Sequence, residues 1–250
     1  MKQDFNFTVS CRRTLALTRK ELSSYLSTPA FYGAAVFLLV FSSIWLFYFQ
    51  GYFRMNAATL RPYFAVFPLV FILVIPVLTM KSWAEERKTG SIEILLTMPF
   101  SEWNLVLGKF FSAYAMLVMM LVMTIPMPLT LLPMGQFDIG VIVCEYIGTL
   151  LLGASAVSLG LLLSSLSKSQ AGGFISSAAV LMVVMLANMF TLLFNLPHGL
   201  SRFINFFSLS FHFESFTKGL FDSRHFLFFA VSTVLFLFLN TRVILFRKWS

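Results

Sequence analysis

Six apolar stretches, each long enough to cross a bilayer, decide what this chain can fold into. Residues 30–49, 63–80 and 172–194 carry no charged residue at all. The stretch 105–132 carries Lys109 near its start, 139–166 carries Glu145, and 226–246 carries Arg242 near its far end. A helix needs about 20 mostly apolar residues to span the hydrocarbon core, and a snorkelling side chain accommodates a cation such as Arg242 close to a helix end. Only helices and closed barrels span lipid, because every backbone polar group must find its partner within the protein. Barrel strands alternate polar and apolar over about 10 residues, whereas these stretches are continuous. The sequence therefore predicts an all-α membrane protein with six transmembrane helices.

Charge supports the same class. Only 11% of the 250 residues are charged and 58% are hydrophobic, against about a quarter charged in a soluble domain. So little charge cannot clothe a water-facing surface, and the 31 Phe suit lipid-facing helices. No linker divides the apolar material, so residues 1–250 read as a single transmembrane domain. The sequence is polar up to Ser27, and no cleavable signal peptide is expected. With the N-terminus in the cytoplasm, thirteen of the 18 Lys and Arg fall on the inner side, which the positive-inside rule favours. Six crossings then return the C-terminus to the cytoplasm as well. The net charge of +8 is a topology signal, and nucleic acid is not an expected partner because no basic stretch is interleaved with aromatics on a soluble module. Cys11 and Cys144 fall on opposite sides in this topology, so no disulfide is expected.

Three segments outside the spans have a pattern of their own. Residues 14–28 are too polar to span, yet Leu15, Leu22, Tyr25 and Leu26 can share one face, which predicts an amphipathic interface helix ended by Pro29. Residues 195–225 are rich in Phe but interrupted by polar residues, and are expected to lie in the outer interface. Residues 85–99 form a charged loop with Glu85, Glu86, Arg87 and Glu93. Its Ile92, Leu95 and Leu96 give a short helix an apolar face, and Pro99 ends it. A plain connector has no use for such a face.

Catalytic and cofactor chemistry finds no foothold. A phosphate-binding loop ends in Gly-Lys-Ser/Thr, and the only Gly-Lys pair, Gly108-Lys109, is followed by Phe110. The three histidines, His198, His212 and His225, have spacings that match no compact ligand pattern. No Ser has the flanking glycines of a nucleophile elbow. No metal, catalytic or cofactor residue is therefore assigned, and an intramembrane enzyme is disfavoured. Glu145 stands apart, because a carboxylate near a bilayer centre costs about 2.5–3.5 kcal/mol, although in a stretch that starts at Ile139 it is expected within two turns of the outer surface, where the cost is smaller. It reads either as a lining of a translocation path or as an interhelically paired structural acid.

The stretch Glu86-Arg87-Lys88-Thr89-Gly90-Ser91-Ile92-Glu93-Ile94-Leu95-Leu96, followed by Pro99, resembles the first cytoplasmic loop of the ABC-2 family of ABC transporter permeases. Lys20-Glu21-Leu22 with Ser27-Thr28-Pro29 is similar to that family's N-terminal interface helix. Trp103 to Lys109 and Leu163-Ser164-Ser165-Leu166-Ser167 fit the same pattern. Phe211-His212-Phe213-Glu214-Ser215-Phe216, with Gly219 and Asp222, resembles the gliding-motility-type permease subunit. The resemblance implies the permease subunit of an ATP-driven exporter in the bacterial cytoplasmic (inner) membrane. It implies a second permease subunit, the same or different, and separate ATPase subunits that hold ATP and Mg, with no cofactor on this chain. It also implies that Glu85, Glu86, Arg87, Gly90, Ile92, Glu93, Leu95 and Leu96 form the coupling site for the ATPase. A non-transporting membrane scaffold that anchors a partner complex is the alternative function. The substrate is not legible.

Overall fold

The computed structural model describes residues 7–54, 59–88, 90, 102–194 and 197–248. Every element among them is helical, as the need to satisfy backbone groups in lipid requires. In chain order they are α1 (Phe7–Leu26), α2 (Pro29–Ile44), α3 (Arg61–Phe64), α4 (Phe67–Lys88), α5 (Glu102–Val122) and α6 (Pro126–Leu131), then α7 (Ile139–Leu166), α8 (Gln170–Leu193), α9 (His198–Phe207), α10 (Leu209–Thr217) and α11 (Ser223–Lys248). Among the described residues six stretches are long and apolar enough to cross a membrane: Pro29–Phe49, Arg61–Glu86, Glu102–Met134, Ile139–Leu166, Gln170–Thr191 and Ser223–Phe246.

Proline and capping chemistry set the helix ends. Pro29 opens α2 at its first turn, where its missing N–H costs nothing. The helix loosens into a π-helical turn over Trp45–Phe49, and the chain then reverses at Gly51. Residues 105–132 do not form one helix. Pro126 and Pro128 remove two backbone donors, so α5 stops at Val122 and the short α6 follows a turn. Asp138 caps α7 by accepting the Gly140 N–H at 2.8 Å, and Ser169 caps α8 through Gly172 at 3.1 Å. Residues 195–225, expected as an interfacial segment, contain two short helices. On α9, Leu200, Phe203, Phe206 and Phe207 stay exposed, while Phe213 and Phe216 of α10 are buried.

Helices α4 and α7 form the centre. In the most apolar part of each, 72% of residues are buried inside the protein, against 22–39% for the other four spans. Small residues let neighbouring backbones approach closely in lipid, and α7 uses three glycines for this. A Cβ on Gly148 would lie 2.4 Å from Phe216 of α10, one on Gly153 would lie 2.3 Å from Leu117 of α5, and one on Gly160 would lie 2.6 Å from Thr79 of α4.

The amphipathic helix differs from its expected form in extent and in facing. It begins at Phe7 rather than residue 14. Tyr25 is buried and Leu22 half-buried, but Leu15 is 70% exposed and Leu26 is also exposed. The packed face instead runs through Leu17, Glu21 and Tyr25, four residues apart as one helical stripe requires, with Leu22 beside them. Leu17 sets this facing, because it fits against Gly108 of α5, where an added Cβ would lie 2.6 Å from it.

Candidate functional site

Lys109 is the most deeply placed cation among the described side chains, 1% exposed on the second turn of α5. Its ammonium has three N–H donors and no acceptor, and the protein supplies three oxygens. Nζ donates to the Ser82 carbonyl at 2.6 Å, to Glu86 Oε1 at 2.7 Å and to Glu21 Oε1 at 3.2 Å. It also lies 4.8 Å from the centre of the Trp83 ring, close enough for a cation–π attraction. Glu21 comes from α1, Ser82, Trp83 and Glu86 from the last turns of α4, and Lys109 from α5. One buried ammonium thus joins three helices.

Neighbouring contacts fix the same corner. The Tyr25 hydroxyl and Ser82 Oγ are 2.7 Å apart, and burial pushes the Tyr25 phenol well above its usual range. Thr18 Oγ1 donates to the Gly108 carbonyl at 3.4 Å. The Glu21 and Glu86 side chains are only 15% and 14% exposed. A cleft of about 180 Å³ opens beside them, lined by Lys20, Ser24, Lys81 and Glu85 among others. Burying two carboxylates around one cation is costly unless geometry and hydrogen bonding are good. Here both carboxylates keep a direct bond to the ammonium.

The corner flanks the stretch read as a coupling loop. Helix α4 carries the chain in to Lys88, and α5 takes it up again at Glu102. Glu85 lies on the exposed face, whereas Glu86 turns inward to Lys109. Gly90 adopts φ +70°, a left-handed conformation that favours glycine. Arg87 lies on the last turn of α4. Ile92, Glu93, Leu95 and Leu96 lie outside the described residues. At the start of α5, Trp103 packs against Phe238 of α11 with ring centres 6.1 Å apart, and Arg242 lies 4.9 Å from the same Phe238 ring.

In the sequence Lys109 shows as a topology charge and as part of the family pattern, but not in its role as the buried ammonium that joins three helices. Its signal was there to use: a lysine inside an apolar run needs a carboxylate partner, and Glu21 and Glu86 fall on the same side of the membrane. Glu145, at the opposite end of the bundle, is placed differently from the coupling residues. It is fully buried on α7, and neither carboxylate oxygen has a hydrogen-bond partner. One helical position on, the Tyr146 hydroxyl lies 3.1 Å from Thr124 Oγ1. Among the described residues no group of three or more His, Cys, Asp or Glu could hold a metal ion.

No curated protein matches the chain. The family model described as ABC-2 family transporter protein matches residues 40–246, a span that includes α4, the loop read as a coupling segment, α5 and the whole of the central α7. The chain therefore belongs to the ABC-2 family of transporter membrane proteins.

Proposed function

We propose that this chain is the permease subunit of an ATP-driven exporter, and that the corner around Lys109 passes the movement of a separate ATPase into the membrane helices. As an ABC-2 permease membrane domain it carries no catalytic ATPase domain, and membership implies partner ATPase subunits. ATP and Mg belong to those partners, and no cofactor is assigned to this chain. The end of the bundle that holds α1 and the Lys109 corner faces the cytoplasm, so both termini do too, in a bacterial inner membrane. A second permease subunit, identical or different, completes the membrane part. The stretch Phe211 to Phe216 supports the gliding-motility subtype.

One observation carries this reading. The last turn of α4, the start of α5 and α1 are held together by a single buried ammonium, directly beside the segment read as the coupling loop. A partner that pushes on residues 91–101 moves both flanking helices, and the Lys109 bonds make α1 follow. Nucleotide binding on the ATPase shifts the permease only as far as the contacts differ between two states. Ile92, Leu95 and Leu96 supply apolar contact worth about 1.5–3 kcal/mol each when fully buried. Glu85, Arg87 and Glu93 set orientation at the rim, Gly90 provides the sharp turn, and Glu86 anchors the loop from inside. Glu145 is the charged group that a moving α7 would bring to the translocation path.

Leu95→Asp tests the docking surface, since it puts a charge into the apolar contact and leaves the membrane helices alone. The expected result is normal insertion with loss of ATPase copurification and of transport. A variant that binds its ATPase as tightly as the wild type overturns the assignment.

A further inference from the structure

Two of the three histidines, separated by 13 residues, meet at the end of the bundle opposite Lys109. His212 of α10 and His225 of α11 have their Nδ1 atoms 2.7 Å apart, and His212 Nε2 lies 3.1 Å from the Phe206 carbonyl of α9. The His212 ring is 8% exposed and stacks on Phe228 at 3.7 Å between centres. The pair fastens the turn between α10 and α11, where Gly219 takes φ +71°, and ties that turn to α9. Because Phe216 of α10 sits on Gly148 of α7, the clasp also holds the outer helices on the central one.

Hydrogen-bond direction fixes where the protons are. A carbonyl can only accept, so His212 Nε2 carries a hydrogen and donates it to Phe206. In neutral His212 the Nδ1 is then a lone pair, and His225 must donate from its own Nδ1. One added proton is harmless, because His225 can take it at Nε2 and still donate. A second proton has nowhere to go but His212 Nδ1, where it would face an N–H. The arrangement tolerates one extra proton and not two.

We propose that the His212–His225 pair is a proton-operated clasp, which holds the α9–α10–α11 corner closed with at most one added proton and releases it when both rings are protonated. Burial holds the proton affinity of His212 below the ordinary imidazole value of 6.5, and His225 adds to the effect. The clasp's contribution is therefore complete above that ordinary value and is lost as pH falls towards the lowered one. The other charged groups around the corner are Glu145 on α7, Arg202 on α9, Glu214 on α10, Arg61 on α3, Lys218 and Asp222 in the turn, and Arg224 on α11. His225 is the titratable group that touches His212 directly, Nδ1 to Nδ1. On the proposed orientation this corner faces the outside, so the clasp reads external acidity.

Hydrogen–deuterium exchange of residues 206–229 tests this, on the full chain in lipid nanodiscs at about pH 8 and about pH 4.5, on either side of ordinary imidazole titration. After correction for intrinsic rates, the wild type should lose about tenfold protection at the acidic pH, the scale of one hydrogen bond. His225→Ala should lack that protection at both values. His225→Asn offers either an N–H or an oxygen to His212, so it should stay protected at both. A wild type without pH dependence, a His225→Asn variant that keeps the wild-type pH step, or a His225→Ala variant protected at pH 8 each overturns the proposal. Protection at pH 8 that EDTA abolishes and zinc restores would show a metal bridging the rings, and would overturn it too. One measurement needs no variant. Nitrogen-15 spectra of the wild type at pH 8 must show one ring protonated only at Nε2 bonded to another protonated only at Nδ1, and spectra without that pair refute the clasp.

Discussion

Replacing Lys109 by Met keeps most of the side-chain length and removes the ammonium. Three bonds are lost, two of them to carboxylates. Hydrogen bonds to charged groups contribute about 1.5–3 kcal/mol each, but the losses do not simply add. Breaking a buried pair by removing one partner costs about 3–5 kcal/mol, most of it the penalty of the charge left behind. Glu21 and Glu86 are each about 15% exposed beside the cleft, so water can reach them and relieve part of that penalty. The lower end, about 3 kcal/mol, is therefore the expected loss, read as unfolding free energy in mixed micelles. The triple variant Lys109→Met, Glu21→Gln, Glu86→Gln removes all three charges together and should recover most of the stability. It should not recover coupling, because α1 is no longer tied to α4 and α5 by charge. Transport per ATP hydrolysed, measured in proteoliposomes with the copurifying ATPase, should fall in both variants. The reasoning is refuted if Lys109→Met is within about 1 kcal/mol of the wild type, or if the stable triple variant couples as well as the wild type does.

Two further outcomes follow from the geometry. With the Lys109 end in the cytoplasm, a membrane-impermeant thiol reagent added to intact cells should label a cysteine at Gln136 and one at His198, but not one at Lys168. Labelling at Lys168 from outside would reverse the orientation. Glu145→Gln removes a buried carboxyl that has no hydrogen-bond partner, so the amount of folded protein should hold or rise while transport changes. A fall in folded protein would instead mark Glu145 as a paired structural acid.

The division between what was legible in the chain and what was not follows the range of the forces involved. Six spans, helices rather than strands, and the lack of a phosphate-binding loop are local properties. A run such as 30–49 holds no charge over its whole length, and lipid then leaves the backbone no choice but to bond within its own helix. The break in the third span was equally local, since Pro126 and Pro128 stand in the sequence for anyone to weigh. The facing of α1 was not. Leu15 and Leu17 are equally apolar, and only the missing Cβ of Gly108, some ninety positions further on, decides that Leu17 packs and Leu15 does not. Centrality of α7 was hidden for a similar reason, because its glycines reveal their use only when Phe216, Leu117 and Thr79 arrive from three other helices. The site depends on the same kind of meeting. Lys109 finds Glu21 across 88 positions and Glu86 across 23, and His212 finds His225 across the turn between α10 and α11, which His212 also ties to α9. Hydrophobic length is written residue by residue, but a buried charge is satisfied only by whatever the packed helices bring within three ångströms of it.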